Sequence, residues 1–420
     1  MILIKVTSDV TVIGGGPAGL AAGISAKESG AEKVIIIDRN NWIGGILPQC
    51  IHDGFGIEAT GLSQTGPEYI NEYIKKARNL GITLLIETMV LNFNNKLEII
   101  SASKKGLLKI KSKSIILAMG CREKTRGNLI IPGDRPSGIY TAGLAQALIN
   151  LYNIMPGKNI VILGSGDVGL IMARRLKIEG ANILGVIEIL PYPNGLPRNV
   201  VQCLKDYNIP LFLNHTITSI EGKDRLKKIT IAKVDKNKKP ILGTEKTIKC
   251  DTLLLSVGLI PENEISSDAG IIIDSSTGGP IVNQDYRTTI PGIYACGNCL
   301  QVYDTVDLLS IHAKIAGRQS AINTLKENNN NINYAEKKII VKPGNGIKHI
   351  IPQQINISGM INFSIRVDEP KNSTKISFKL NKNEIFIKNL KYLNPASIIN
   401  VKVKIPKFSK NNILEVSLNE

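Results

Sequence analysis

Six cysteines in 420 residues are too few for a disulfide scaffold, so the chain must hold itself together with a hydrophobic core. No uncharged apolar run reaches the roughly 18 residues that a membrane-spanning helix needs. Aromatic residues make up only 5%, with one Trp, and no dense basic stripe interleaves them. The net charge of +17 comes from Lys scattered among Asn and Ile in surface-like loops, which argues against a nucleic-acid partner. What is abundant is apolar: 43% hydrophobic residues and 38 glycines besides, enough for a large buried core. At about 150 residues per domain the length accommodates two or three domains. The N-terminus is apolar but carries Lys5 and Asp9 and runs straight into a glycine motif. Cleavage of a leader there would destroy the motif, so none is expected. The chain reads as soluble, cytoplasmic and reduced, and no metal-ligating cluster stands out.

One pattern is written twice. Residues 10–13 read as a short buried strand, followed by Gly14-Gly15-Gly16-Pro17-Ala18-Gly19, a small apolar helix from Leu20 to Ser29, Gly30, and a second strand ending in Asp38. Residues 159–163 repeat the strand, then Gly164-Ser165-Gly166-Asp167-Val168-Gly169, a helix to Glu179, Gly180, and a strand ending in Glu188. In both copies the acid lies 24 positions after the first glycine. A lone G-x-G-x-x-G is weak evidence, but strand, glycine turn, helix, strand and acid in that order form a dinucleotide-binding unit. The first glycine (Gly14, Gly164) allows the tight turn. The second (Gly16, Gly166) lets backbone approach a pyrophosphate, and the third (Gly19, Gly169) lets helix and strand pack closely. The helix N-terminus, opening at Pro17 or Asp167, supplies N–H groups and partial positive charge for phosphates. The acid accepts hydrogen bonds from ribose hydroxyls.

Two further segments match each other. Residues 114–120 and 251–258 are each a buried strand ending in a glycine, Gly120 and Gly258, that lets the strand end approach the nucleotide. Each follows a stretch of short alternating strands, 82–112 and 216–249, so each half reads as a nucleotide-binding domain with a small antiparallel layer on one face. A third anchor is the strand over 289–296 that runs into Gly297-Asn298, with an apolar helix beginning near Val306.

With these anchors the chain resembles the two-dinucleotide flavoproteins, the pyridine nucleotide-disulphide oxidoreductases of the thioredoxin reductase type, over residues 1–327. The resemblance implies an α/β fold with two nested Rossmann-like domains of three-layer ββα type. It puts an FAD-binding domain at 1–120 and 264–327 and an inserted NAD-binding domain at 121–263. The first glycine motif and Asp38 would hold FAD, the second motif and Glu188 would hold NAD(P)H, and the late Gly297-Asn298 box would return to the flavin's ribityl chain and phosphates. That box usually ends in Asp; Asn298 keeps an acceptor, adds donors and removes a negative charge. Glu188 argues for NAD over NADP, because a carboxylate pairs with a free 2′-hydroxyl and repels a 2′-phosphate. Arg174 and Arg175, on the preceding helix, read as solvated.

A disulfide reductase of this family needs a cysteine pair. The stretch Gly44-Gly45-Ile-Leu-Pro-Gln49-Cys50-Ile-His52-Asp53 holds one cysteine, and 130–285 holds only Cys203 and Cys250. Dithiol chemistry of the usual kind is therefore disfavoured. The single C-x-x-C, Cys296 to Cys299, overlaps the flavin box and reads first as small residues beside the cofactor, with a redox pair as the alternative. By resemblance, Gly44 and Gly45 would let backbone approach the flavin ring, with Gln49, Cys50 and His52 nearby. Cys50 is a candidate nucleophile or a buried neighbour. His52 is a candidate proton donor or a residue bonded to backbone. His312 reads as a packing residue.

Longer motifs narrow the match: Gly44-Gly-Ile-Leu-x-Gln-Cys-Ile-His-x-Gly-Phe-Gly56, Ala118-Met-Gly-Cys-Arg-Glu-Lys-Thr-Arg-Gly127, Tyr140-Thr-Ala-Gly143, and the run from Gly164 to Arg175. They resemble the FAD/NAD oxidoreductase subunits that accompany glycerol-3-phosphate dehydrogenase-like proteins, related to flavin subunits of sarcosine oxidase, proline dehydrogenase and cyanide synthase complexes. This implies electron transfer between NAD(H) and a partner dehydrogenase through FAD. It also implies a heteromeric complex with a glycerol-3-phosphate dehydrogenase-like flavoprotein and a small cysteine-bearing protein. The competing readings are a stand-alone thioredoxin reductase-like or quinone reductase, and a non-catalytic nucleotide-binding scaffold.

Residues 328–337, rich in Asn, read as a linker. Beyond it, 338–420 alternates apolar and polar residues in patches such as 362–367, 375–380, 384–387 and 399–405, which predicts a small antiparallel β-sandwich with Lys on its polar face. It is either a cap on the core or a docking module for a partner protein.

Overall fold

The computed structural model describes residues 3–326, 338–408 and 412–419. The expected linker at 328–337 lies outside the described residues. The chain divides into two compact units: Met1–Pro48 with Asp53–Cys121 and Pro261–Glu420, and Gln49–His52 with Arg122–Ile260. Among the described residues no helix is long and apolar enough to cross a membrane.

The first unit is built on a mostly parallel sheet. Strand Leu3–Ile13 sits in its middle, paired in parallel with Val34–Ile37 on one side and Gly106–Leu117 on the other, so that Val12 lies opposite both Ile36 and Ile116. Thr83–Leu85 and Ile293–Ala295 extend it. All four residues of Val34–Ile37 are buried, as a strand covered on both faces demands. Helix Pro17–Glu28 covers one face with Leu20, Ala21, Ala22 and Ile24, residues small enough to bring helix and sheet close.

The second unit repeats this plan. Asn159–Leu163 lies between Asn182–Ile187 and Thr252–Leu255, with Leu211–Phe212 and Ile139–Thr141 at the edges, all in parallel. In both units the strand that feeds the glycine turn is therefore flanked by the strand leading to the acid and by the strand ending near the later glycine. This is the nested pair of Rossmann-like domains that the sequence predicts.

The two antiparallel layers differ more than expected. In the second unit His215–Glu221, Lys228–Lys233 and Lys246–Lys249 form a sheet of their own. Just beyond it, the Asp251 carboxylate accepts hydrogen bonds from the N–H groups of Lys158 and Asn159, at 3.0 and 2.9 Å. A side chain thus takes the donors next to the start of Thr252–Leu255. In the first unit no such break occurs. Gly106–Leu117 runs unbroken for 12 residues. It pairs antiparallel with Glu98–Ser103 and in parallel with Leu3–Ile13.

The C-terminal segment is a two-sheet sandwich. Five strands (Gln354–Ile355, Ile339–Pro343, Asn412–Asn419, Lys371–Leu380, Asn383–Leu393) face three (Ile347–Ile351, Gly359–Val367, Ile399–Ile405). Phe363 and Phe378 meet between the sheets with ring centroids 5.2 Å apart. In Ile399–Ile405 the alternation is strict: Val401, Val403 and Ile405 point inward, Asn400, Lys402 and Lys404 outward. One pairing departs from the antiparallel expectation, since Ile339–Pro343 and Asn412–Asn419 run in parallel. The sandwich belongs to the first compact unit rather than standing apart. Gln353 bridges to that unit's other residues, accepting from the Val282 N–H at 3.1 Å and donating to Asp274 at 2.8 Å.

Candidate functional site

At the first turn the Gly14 N–H donates to the Ile37 carbonyl at 2.8 Å. Its φ of +110° belongs to the region that favours glycine, and a Cβ there would press into the Ala118 carbonyl oxygen. Asp38, almost fully buried, accepts from the Gly15 N–H at 2.7 Å and the Asn40 N–H at 2.8 Å. Helix Pro17–Glu28 then starts from Gly16 with no side-chain cap and no acid in its first turn. Gly16 itself has an ordinary extended backbone, and a Cβ would find nothing nearer than the Gly45 Cα at 3.7 Å. Nothing in the protein requires this residue to be glycine, since a Cβ would fit at ordinary contact distance.

The second turn is built in the same way. The Gly164 N–H donates to the Ile187 carbonyl at 2.7 Å, and a Cβ at Gly164 would press into the Ser256 carbonyl oxygen. Glu188 is buried and accepts from the Ser165 N–H at 2.9 Å, the Ser165 hydroxyl at 2.5 Å and the Leu190 N–H at 3.0 Å. A Cβ at Gly166 would meet only the Ser256 side chain and carbonyl, the nearer at 3.6 Å. In both copies the acid grips the N–H of the residue after the first glycine, 23 positions before it. A carboxylate has about four acceptor sites, so Asp38 keeps about two and Glu188 about one for a ribose. Gly120 and Gly258, at the far strand ends, have φ of +74° and +101° and open space where a Cβ would point.

Several expected site residues are committed to their own chain. Asp167 accepts from the Leu196 N–H at 2.8 Å and the Asn199 amide at 2.6 Å, which ties the following loop down instead of leaving that oxygen to a nucleotide. The Asn194 N–H donates to the Ser165 hydroxyl at 2.8 Å and closes the loop over the turn. Arg174 and Arg175 are not simply solvated. Arg174 lies over the Tyr207 ring, and Arg175 donates to Asn150 at 3.1 Å and pairs with Glu179 at 2.7 Å. Gly44 donates its N–H to Gly15 O at 2.9 Å, and a Cβ on Gly45 would come within 2.9 Å of Gly16 Cα. The smallness of Gly45 therefore serves close packing on the glycine turn, whereas a Cβ on Gly44, at φ +122°, would press on Ile70 and Pro48. Gln49 belongs to the second unit, its amide donating to Gly143 O and Gln146 Oε1, both at 3.0 Å.

The late box runs from strand Ile293–Ala295 into a short helical turn, Gly297–Cys299. Gly297 has φ +71° and lies against Ala18 of the first helix. Asn298 accepts from the Tyr303 N–H at 3.1 Å, so its acceptor oxygen organises the next turn of chain.

A family model described as pyridine nucleotide-disulphide oxidoreductase matches residues 8–341, which takes in both turns, both acids and the late box. The chain belongs to this family. Its cofactors are FAD and a nicotinamide dinucleotide. It is 24% identical over 345 residues to a subunit of the opine oxidase of Agrobacterium tumefaciens, covering 76% of this chain and 65% of that one. It is 26% identical over 298 residues to a NADH dehydrogenase of Bacillus subtilis, covering 69% and 53%. The chain thus spans between half and two thirds of the length of these relatives. The fold is that of the T. acidophilum thioredoxin reductase, with a TM-score of 0.61 at 23% identity over 77% of this chain and 99% of that one.

Unlike the disulphide chemistry in the family's name, none of the six cysteines forms a disulfide; five are buried and Cys121 is half-buried. Cys50 sits with its Sγ 3.7 Å from Gln146 Oε1, and burial pushes its thiol up to about 12. Burial likewise raises Cys296 well above its ordinary value and Cys299 to about 11. Cys299 donates to the Leu117 and Cys296 carbonyls, at 3.3 and 3.2 Å. A thiolate is the reactive form, so burial that raises these thiols favours packing over a nucleophilic role. His52 is half-buried and Asp53 exposed on the same segment. Cys50→Ala and Cys296→Ala should each leave NADH-driven bleaching of the flavin within about twofold of wild type, because removing an unionised buried thiol takes away packing and no charge. A loss beyond about tenfold in stopped-flow absorbance, with the melting temperature preserved, would return the thiol to the mechanism.

Proposed function

We propose that this chain is a NADH-linked flavoprotein component of a larger complex, with FAD in the turn at Gly14–Gly19 and NAD(H) in the turn at Gly164–Gly169. The observation that carries the reading is the pair Gly16 and Gly166, each with an ordinary extended backbone and each able to take a Cβ at normal contact distance, so that neither is glycine for the sake of the protein's own packing. When bound, the two cofactors supply hydride transfer between nicotinamide C4 and flavin N5.

The chain's own residues bind and orient. The helix N-terminus at Gly16, with no side-chain cap and no acid in its first turn, offers N–H groups to the phosphates. At Gly166 the helix opens on Asp167, and the Ser256 hydroxyl already accepts from the Gly169 N–H at 3.0 Å. Asp38 and Glu188, held by backbone donors, present their remaining acceptor sites to ribose hydroxyls. Glu188 also sets the choice of dinucleotide. It is buried and already accepts three hydrogen bonds, which fix its position, and a carboxylate there repels a 2′-phosphate. NADH should therefore reduce the bound flavin at least about tenfold faster than NADPH at equal subsaturating concentration in anaerobic stopped-flow. Equal rates would remove this role of Glu188.

Electrons then pass to or from a partner dehydrogenase. The long motifs resembling proteins that accompany glycerol-3-phosphate dehydrogenase-like enzymes support this. So does the opine oxidase relative, which is itself one component of an oxidase. The partners would be a glycerol-3-phosphate dehydrogenase-like flavoprotein and a small cysteine-bearing protein, in a reducing compartment such as the cytoplasm that suits six cysteines outside any disulfide. Against a stand-alone thioredoxin reductase stands the lack, among the described residues, of an accessible cysteine pair. Anaerobic addition of NADH to the yellow holoprotein should bleach its visible absorbance. Absorbance that stays unchanged identifies a scaffold instead. Co-purification from the native source tests the complex, and a chain that is active alone would remove the heteromeric reading.

A further inference from the structure

The two glycine turns are built alike but differ at the residue after the leading glycine. In the first turn it is Gly15, where a Cβ would come within 2.7 Å of the Ile43 side chain and 3.1 Å of an Asp38 carboxylate oxygen. In the second it is Ser165, fully buried, with its hydroxyl bonded to the acid. The acids differ in step. Asp38 is short and meets two backbone N–H groups. Glu188 has one more methylene and therefore one more torsion to fix.

The Ser165 hydroxyl is the middle of a short hydrogen-bond chain. It accepts from the Asn194 N–H at 2.8 Å and donates to Glu188 Oε2 at 2.5 Å. The Ser165 N–H donates to the same oxygen at 2.9 Å, so both acceptor sites of Oε2 are taken. Oε1 accepts from the Leu190 N–H at 3.0 Å and keeps one acceptor site. The carboxylate is held at both ends, and what it can still offer lies on Oε1.

The loop after the acid is fastened to the same turn. Asp167 accepts from the Leu196 N–H at 2.8 Å and the Asn199 amide at 2.6 Å. Gly195 is buried, and a Cβ there would come within 3.0 Å of the Ser165 carbonyl oxygen and of Asp167 Oδ1. With Asn194 on the Ser165 hydroxyl, residues 194–196 all lie against the turn. Through that hydroxyl the loop and Glu188 Oε2 are joined.

We infer that Ser165 is a positioning residue for the choice of dinucleotide: its hydroxyl fixes which Glu188 oxygen is offered to the ribose and holds the 194–196 loop against the turn. This rests on the reading that NAD(H) binds at Gly164–Gly169 with Glu188 at its ribose. A carboxylate so fixed gives its full hydrogen bond to a 2′-hydroxyl and cannot swing away from a 2′-phosphate. Without the hydroxyl, Oε2 keeps one donor, the side chain regains torsional freedom, and the loop loses its link to the acid. Discrimination then fades although the carboxylate is still there.

Ser165→Ala should give a folded, yellow protein with a melting temperature within about 4 °C of wild type. Calorimetric titration of the oxidised holoprotein with NAD⁺ and with NADP⁺ reads both affinities without reducing the flavin. Wild type should favour NAD⁺ at least about tenfold. Ser165→Ala should bind NAD⁺ about tenfold more weakly and leave NADP⁺ within about twofold, which brings the two near parity. A serine with a merely structural role would weaken both dinucleotides alike and leave their ratio in place. Glu188→Gln should by itself bring the ratio near parity. Adding Ser165→Ala to it should narrow the ratio no further, because the hydroxyl acts through the acid. Ile149→Val, in the core of the second unit, is the control for general loosening and should keep the wild-type ratio. Ser165→Gly also removes the hydroxyl and adds no atom, and it answers the same question should Ser165→Ala not fold.

A Ser165→Ala ratio equal to that of wild type overturns the inference. So does a ratio that narrows further when Ser165→Ala is added to Glu188→Gln, or one that narrows as much in Ile149→Val. Wild type that binds neither dinucleotide, or both equally, removes the functional reading and this one with it. Glu188→Gln with a narrowed ratio beside Ser165→Ala with an unmoved one removes only the role of Ser165.

Discussion

Gly16→Ala should give a folded protein that no longer holds FAD, and Gly166→Ala a yellow protein that no longer binds NADH. At both positions a Cβ finds no protein atom closer than 3.6 Å, and neither backbone is in the left-handed region. The folded chain therefore loses only the small preference for glycine over alanine as a helix N-cap, about 1 kcal/mol or less. The ligand loses more, because the backbone can no longer approach the pyrophosphate. We expect at least about a hundredfold in affinity, near 2.7 kcal/mol. The neighbouring first glycines should fail for the opposite reason. Gly14→Ala and Gly164→Ala place a Cβ against the Ala118 or Ser256 carbonyl oxygen at φ +110° or +95°. That combines a clash with backbone strain, and we expect more than about 4 kcal/mol of lost stability. Thermal melting reads the stability, visible absorbance the flavin, and calorimetric titration the NADH. If Gly16→Ala bound FAD as tightly as wild type, the ligand would not lie against that turn.

Acid should destabilise the first unit well above the range where carboxylates titrate. His312 and His349 are both buried, and burial pushes each down to about 4 from an ordinary 6.5. Beside His349, Arg366 and Lys348 lower it further while Asp274 opposes them. His312 faces Tyr303 and Tyr286, neither of them a charge partner. In the unfolded chain both imidazoles take up protons near 6.5. Between the two values unfolding therefore binds up to two protons, and stability falls as pH falls, by as much as about 1.4 kcal/mol per pH unit for each histidine. The contribution is intact above 6.5 and fully lost by about 4. Asp9 and Asp251, whose carboxyls are held below their usual value of 3.8, lose their contribution only at lower pH. Urea unfolding at a series of pH values should show the slope in wild type and a much shallower one in the His312→Gln, His349→Gln double variant. Parallel curves for the two proteins would assign the acid sensitivity elsewhere.

The nested fold and both turns were legible in the residues because each is a contiguous device. Strand, glycines, helix and acid follow one another in order, the acid 24 positions after the first glycine, and the same constraint recurs in the second copy. A tight turn under a strand end leaves little choice but glycine, and the acid 23 positions beyond Gly15 or Ser165 reaches that residue's N–H because the intervening helix returns the chain to the adjacent strand. The alternating residues of the C-terminal segment were legible for a similar reason, since a pleated strand with one buried face reports itself locally.

What the sequence left undecided depends on partners far away along the chain. Gln49 meets Gln146, 97 positions on, and Arg366 meets Asp304, 62 positions back. Nothing in the local pattern around either residue indicates its partner. That one oxygen of Asp167 accepts from Leu196, on the loop that follows, is likewise invisible in the local pattern. The thiols of Cys50, Cys296 and Cys299 have the spacing of possible chemistry, and only the tertiary structure shows how deeply packing buries them, which raises all three. The sequence by itself determined the two dinucleotide turns, because local backbone geometry restricts which residues can make them. Tertiary packing alone decided which polar side chains remain free to meet a ligand, because desolvation and hydrogen-bond satisfaction depend on what the rest of the fold brings alongside.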